Sequence, residues 1–368
     1  MRIHFITFCL IVSSGTLFAN DDAAVPDSRF LGISAQSIQG EPVELQLSAE
    51  ARFTVVYFLG VECPVANLYS SRLQKLADEL ADRNVQFIGI SSNQHDSIDE
   101  LKDYAESKQI RFPIVKDYQN LIADRYGATR TPEVFVVDRN LQVRYRGRID
   151  NEFDPGVTRS GKIEHYLKQA LSELLAGQPV TKSSTDAVGC LIGRVSTGEV
   201  TTKITYAQEV SRILQRHCVE CHQAGEIGPF ALTDYNEVIG WGPMLVEVVD
   251  DGRMPPWHAE PGHAEFRNAR SMPKKDKERL REWVNGGMPF GDAADLPKPI
   301  AQNVNLWQFE REPDLIVPMG TRPFHVPADE TVEYQYYVVD PKFETDQWVV
   351  GAQVLPGNRS VVHHCIVF

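Results

Sequence analysis

The chain has 368 residues, enough for two or three domains at roughly 150 residues each, and 42% hydrophobic with 24% charged residues is the balance of a core-forming globular protein. The 37 Lys and Arg against 50 Asp and Glu leave a net charge of -13, which repels phosphate backbones and argues against nucleic acid as a partner. No apolar run reaches about 18 residues, which excludes a membrane-spanning helix, and six cysteines are too few to staple a chain of this size, so each needs its own explanation.

The first residues, Met1-Arg2-Ile3-His4, are a short basic start, Phe5 to Val12 is apolar, and Ala19 offers a small residue at a cleavage point. Residues 1–19 read as a secretory signal peptide, with a buried first strand as the alternative. Its removal takes Cys9 and leaves Cys63, Cys190, Cys218, Cys221 and Cys365 in a protein exported to a periplasm or beyond the cell, where thiols oxidise.

Over residues 28–180, strand and helix patterns alternate. Phe53 to Leu59 and Val85 to Ser91 are continuously apolar and β-rich, as strands buried on both faces are. Leu68 to Leu80 and Ile98 to Lys108 carry helical spacing, Glu133 to Val137 and Val143 to Arg146 flank a hairpin turn, and Ile163 to Leu175 is a closing helix. This order is that of a layered α/β domain. Residues 181–204, rich in Gly, Ser and Thr, read as a linker. Residues 205–293 show helix patterns and no convincing strand. Residues 310–368 change character again, with β-rich runs at Val332 to Val339, Trp348 to Val354 and Val361 to Phe368.

Cys218-Val219-Glu220-Cys221-His222 is C-x-x-C-H, the attachment sequence for c-type haem. Two thiols three positions apart can each form a thioether to a vinyl group, and the adjacent histidine then lies under the iron. A plain disulfide or half of a zinc site are the alternatives, but no second C-x-x-C supplies the other zinc ligands. The surroundings resemble a class I cytochrome c domain: Gly228-Pro229-Phe230 matches its proline loop, Arg253-Met254-Pro255-Pro256 its distal-ligand loop, and Arg281 to Gly287 its C-terminal helix. The resemblance implies one covalent haem on Cys218 and Cys221, iron between His222 and Met254, and electron transfer. A Met ligand raises the potential relative to a second histidine. Met244, Met272, His258 and His263 compete with Met254 for that role, and a packed core methionine is the alternative reading of Met254.

Cys63 follows a buried strand and precedes Pro64, at a predicted helix N-terminus, which stabilises a thiolate. It reads as a reactive thiol or as an inert buried cysteine. With Thr131-Pro132 before the strand at Glu133, the segment from Phe30 to Leu175 resembles the redoxin branch of the thioredoxin superfamily, which includes the alkyl hydroperoxide reductases. The resemblance implies a cis Pro132 against Cys63, and Arg130 lies near enough in sequence to help a thiolate. Ala66 stands where thioredoxins carry their second cysteine, and Val56 and Gly60 stand where peroxiredoxins carry Pro and Thr. Cys190 is the remaining partner for Cys63, as a resolving thiol or a structural bridge, although sequence separation says nothing about distance.

The pair His363-His364 on an expected strand would point to opposite faces unless the strand twists or bulges. From Pro313 on, with Pro356-Gly357-Asn358 before the pair, the chain resembles the start of the copper type II, ascorbate-dependent monooxygenases. That resemblance implies a partial β-sandwich and two of three ligands to one copper. The third histidine, the second copper site and the substrate pocket would lie beyond Phe368, as in a shortened copy of a longer protein. The expected whole is a multidomain redox chain: an α/β thioredoxin-like domain, a small all-α cytochrome c domain, and a C-terminal partial β-sandwich. It would exchange electrons with a redox partner or feed a copper centre. A thiol peroxidase with auxiliary haem and a non-catalytic redoxin-fold binding module are the alternatives.

Overall fold

The computed structural model describes residues 33–45, 50–194, 198–257, 259, 266, 269–299, 307, 309–320, 322–327 and 332–368. The expected signal peptide, His258 and His263 lie outside the described residues. Strand β3 (Phe53–Leu59) is the centre of the first domain, flanked by the parallel β4 (Val85–Ser91) and the antiparallel β7 (Glu133–Asp138). Val55, Val56, Phe58 and Leu59 are fully buried, and each such side chain contributes about 1.5–3 kcal/mol. This explains why the strand reads as an unbroken apolar run instead of an alternating one.

The seven-stranded sheet runs β2-β1-β5-β4-β3-β7-β8, with β1 (Ile33–Ser37), β2 (Pro42–Leu45), β5 (Ile114–Lys116) and β8 (Val143–Gly147) completing it. One face is covered by α1 (Pro64–Leu80), α2 (Ile98–Ser107) and α4 (Tyr166–Leu175) through Leu73, Leu101, Leu167 and Leu171. The other is covered by α3 (Leu121–Tyr126), whose Tyr126 meets Phe58 and Phe135 edge-on at 5.7 and 5.2 Å. Helix α2 starts on a capping box made by Ser97 and Glu100. A short strand, β6 (Arg130–Thr131), precedes β7, and a small ribbon of β9 (Phe153–Asp154) and β10 (Val157–Thr158) precedes α4.

Of residues 181–204, expected as a linker, residues 181–194 are folded onto this domain, while Thr201 N–H donates to Gly286 O and Thr202 Oγ1 to Glu282 in the helical part that follows. Arg146 N–H donates to Ser183 O and Thr185 N–H to Arg146 O, each at 3.0 Å. Strand β11 (Cys190–Leu191) pairs with β6. A composition rich in Gly, Ser and Thr does not prevent this, because a ladder needs only backbone N–H and C=O groups.

The second unit is helical: a π-helical turn at Tyr206–Val210 leads into α5 (Ser211–His217), followed by α6 (Tyr235–Asp250) and α7 (Lys274–Asn285) around the buried Trp241 and Trp283. Its core is continuous with one face of the sheet domain, and Val55, Leu73, Cys190, Trp241 and Trp283 all belong to one hydrophobic cluster. The three strands expected in residues 332–368 do not form. That segment is extended, with a single 3₁₀ turn at Arg359–Val361, and Val338, Trp348 and Phe368 stand fully exposed. Its β-rich composition fits a pleated, half-buried surface, and among the described residues no neighbouring strand supplies one. An ion pair from Arg359 to Glu226, 2.8 Å, ties the segment to the helical unit.

Candidate redox site

Cys63 is the N-cap of α1, with Pro64 in the first turn. The loop before it is held by Cys63 N–H donating to Gly60 O (3.2 Å), Val61 N–H to Asp96 Oδ2 (3.4 Å) and the Asn67 amide to Val61 O (2.8 Å). Cys63 Sγ donates to Thr131 O at 2.9 Å and accepts from Ala66 N–H at 3.5 Å. The Thr131–Pro132 bond is cis, as the redoxin resemblance implies.

The β6–β11 ladder sets Cys190 opposite Thr131, the residue whose carbonyl accepts from Cys63 Sγ, so the two buried cysteines flank Thr131. Gly189 makes the approach feasible: its φ is +133°, and a Cβ there would lie 2.0 Å from Thr131 O. Burial pushes the Cys63 thiol up, but hydrogen bonds led by Cys190, then Thr131 and the Ala66 N–H, outweigh it and bring it down to about 7. Cys190 is held well above the ordinary thiol value by its hydrogen bond to Cys63 and by burial. One ready thiolate beside one protonated thiol is the arrangement a dithiol couple needs.

Helix α6 closes over the pair. Leu191 N–H donates to Met244 Sδ at 3.4 Å. Arg130 forks onto Glu247 at 2.8 and 3.2 Å while donating to Gly189 O, and Arg253 reaches the same carboxylate at 2.6 Å. Arg130, expected beside the Cys63 thiolate, thus serves the clamp and lies in the field of Cys190. Burial raises the Glu247 carboxyl, but Arg130 and Arg253 hold it below its usual range. Cys63 and Cys190 remain 1% and 8% exposed.

The C-x-x-C-H segment turns off the end of α5, with Cys218 N–H on Leu214 O (2.8 Å) and His222 N–H on Cys218 O (3.0 Å). His222 Nδ1 lies 3.1 Å from Phe230 O. The cytochrome resemblance points to the proline loop for this contact; the carbonyl is that of Phe230, next to Pro229. A carbonyl can only accept, so Nδ1 carries the proton and Nε2 is left with its lone pair, the tautomer a metal ligand needs. Gly228 lets the loop close, since a Cβ there would meet Cys221 O at 2.5 Å. Burial raises the Cys218 thiol to about 12, with Cys221 adding to it. Met254 follows α6, its N–H on Val248 O at 2.9 Å and its side chain 39% exposed. Among the described residues no hydrogen bond joins it to His222. Met244 is engaged with Leu191, and Met272 is buried.

The sequence reading missed a group between the two motifs. His95 is stacked on Trp241 (4.4 Å, 28°), Trp241 on Phe230 (3.9 Å, 11°), and Phe230 meets His222 at 4.7 Å. Glu62, next to Cys63, faces the Trp241 indole N–H; burial first, then Asp96 and Glu100, raise its carboxyl to about 7. Both ring nitrogens of His95 are buried without a hydrogen-bond partner, at a cost of roughly 1–3 kcal/mol per group. Burial keeps His95 neutral by lowering its pKa. The only local signal was the Glu-Cys adjacency, because a lone histidine and a helix tryptophan carry none.

His363 and His364 are exposed, their Nδ1 atoms 3.1 Å apart. The opposite-faces expectation fails because the pair does not sit on a strand. Among the described residues no cluster of three or more His, Cys, Asp or Glu is placed to hold a metal ion.

Residues 26–146 match the AhpC/TSA family model, about a third of the chain, and the first domain is accordingly a thioredoxin-like redoxin domain. No curated protein matches the chain. Solved structures similar to it include a hypothetical protein from Sinorhizobium meliloti (22% identity, 48% of this chain and 98% of that one, TM-score 0.43). Others are an uncharacterised conserved protein from Geobacillus kaustophilus (29%, 46% and 95%, 0.38) and a secreted Mycobacterium tuberculosis disulfide oxidoreductase (19%, 41% and 98%, 0.32). At TM-scores this low the similarities carry no weight for function.

Proposed function

We propose that this chain is an exported redox protein whose first domain cycles Cys63 and Cys190 between dithiol and disulfide, and whose helical unit holds a covalent c-type haem. The supporting observation is that Cys63, at the N-terminus of α1, and Cys190, paired with Thr131, flank that same residue beside the cis Pro132. The Cys63 thiolate attacks a sulfur of a small-molecule oxidant disulfide and expels one thiolate. Cys190 then gives up its proton and attacks Cys63 Sγ, forming the Cys63–Cys190 bond and releasing the second thiolate. Two electrons pass to the substrate disulfide. A peroxidase is less well supported, since Arg130 is committed to Glu247.

The residues of the C-x-x-C-H segment fit a haem: Cys218 and Cys221 would hold it covalently, His222 Nε2 would bind the iron, and Met254 would supply a second iron ligand. A haem bound there supplies a one-electron couple. His363 and His364 would give two ligands to a copper ion, and among the described residues no third ligand is grouped with them.

The test equilibrates the full chain with glutathione buffers, quenches in acid and maps disulfides by mass spectrometry. A Cys63–Cys190 bond should appear with a defined midpoint; a pair that stays reduced at every ratio, or bridges elsewhere, refutes the dithiol reading. Covalent haem staining and a c-type α-band, lost in a Cys218→Ala/Cys221→Ala variant, check the haem.

A further inference from the structure

Docking of a second protein onto the dithiol is obstructed: Cys63 and Cys190 lie beneath α6, which is clamped by Arg130, Glu247 and Arg253 and by Met244 on Leu191. What the same helix does offer is Trp241, 2% exposed, with a ring stacked on each face. On one side is His95, 4.4 Å away, whose neighbour Asp96 accepts from Val61 N–H in the Cys63 loop. On the other is Phe230 at 3.9 Å, which carries both the ring and the carbonyl that meet His222. The Trp241 indole N–H also faces the carboxylate of Glu62, one peptide bond from Cys63.

Ordinary core packing accounts poorly for His95. His95 is 7% exposed, neither ring nitrogen makes a hydrogen bond, and the carboxylate beside it is that of Asp96, 3.7 Å from Nε2, so this polar ring sits where an apolar one would serve at less cost. Two glycines from different segments make its room. A Cβ on Gly240 would lie 2.3 Å from His95 Nδ1, and one on Gly193 would lie 2.9 Å from the ring. Trp241 brings a large π-surface to the point where the two units meet.

We propose that the stack His95–Trp241–Phe230–His222 is an intramolecular electron path joining the Cys63/Cys190 couple to the iron site at His222, an inference that rests on the haem reading above. Starting from a Cys63 thiolate and a Cys190 thiol, the first electron leaves along the stack and the Cys190 proton leaves to solvent. The two sulfurs then share a disulfide radical anion. Loss of the second electron leaves the Cys63–Cys190 disulfide. The two electrons reach iron held at His222 one at a time, and an external one-electron acceptor removes the first before the second arrives. The reverse sequence reduces the disulfide. The rings act as a tunnelling medium and are not themselves oxidised.

The experiment uses the full chain with its haem attached, checked first by covalent haem staining, fully reduced and then mixed with ferricyanide without oxygen. The readout is disulfide formation between Cys63 and Cys190, followed by acid quench, alkylation and mass spectrometry. In Trp241→Leu it should slow at least tenfold, with haem content, haem spectrum and haem potential unchanged, while Trp241→Phe, which keeps a ring, slows far less. Phe230→Leu, at a partly buried position, should slow it as well and guards against a misfolded Trp241→Leu. The Cys218→Ala/Cys221→Ala variant supplies the rate of direct thiol oxidation, which should lie well below that of the intact chain. Equal rates in the intact chain, Trp241→Leu and Phe230→Leu overturn the path, as does a haem-free variant that oxidises as fast as the intact chain. An intact chain that takes up no haem overturns the haem reading first, and the path with it.

Discussion

Replacing Cys190 by alanine removes the strongest contact that favours the Cys63 thiolate and leaves burial to act against it. Cys63 starts at about 7, against 9.0 for an unperturbed thiol. A return to the unperturbed value corresponds to about 3 kcal/mol. At pH 7 the thiolate fraction then falls from about one half to about 1%. The variant thiolate is intrinsically the better nucleophile, by about eightfold for a Brønsted slope near 0.45, so the net alkylation rate at pH 7 drops only about sixfold. The pH–rate profile with iodoacetamide, read at Cys63 by mass spectrometry, separates the two effects. Its inflection should move from near 7 to 9 or above, with a higher plateau. An inflection that stays near 7 would show that the helix N-terminus and Thr131 set the thiol by themselves, and would refute the assignment to Cys190.

Three further outcomes follow from the same geometry. The Glu62 carboxyl is raised in the folded state to about 7 from 4.5, so its contribution to stability is fully present below 4.5 and is lost as pH rises through 7. In Glu62→Gln the decline in urea midpoint between pH 4.5 and 7.5 should be shallower than in the parent, and identical slopes would contradict the assignment. Gly240→Ala drives a methyl to 2.3 Å from the stacked His95 ring and should cost about 1–3 kcal/mol in urea unfolding; an unchanged midpoint would mean that His95 does not occupy that space. Gly189→Ala puts a Cβ 2.0 Å from Thr131 O at a φ of +133°. It should push β11 off β6 and lower the yield of Cys63–Cys190 disulfide in glutathione buffer, where parental yield would argue against the ladder.

The core strand and both cysteine motifs were legible because each is written in one short stretch. Phe53 to Leu59 is apolar throughout since both its faces are covered, and Cys63-Pro64 announces a helix start by chemistry alone. Strand β5 and helix α3 went unread because three and six residues are too short to display a period. The supposed linker was misjudged since its role depends on Gly189 and Gly193, where what matters is space next to Thr131 and His95, a property of partners distant in sequence. For the same reason the contact between Cys63 and Cys190 could be suspected but not located. The runs from Val332 onward look like strands by composition, yet β preference is realised only against a neighbouring strand.

The hydrophobic cluster that runs from Val55 through Cys190 to Trp283 has a thermodynamic consequence. Two units that share one core cannot release it separately, so the sheet and the helices should melt in a single cooperative transition. Severing the chain between them would expose Trp241 and the dithiol together, and neither fragment would keep its half of the interior. A single calorimetric transition that loses both the sheet and the helices is the expected result, and two separate transitions would refute the shared core.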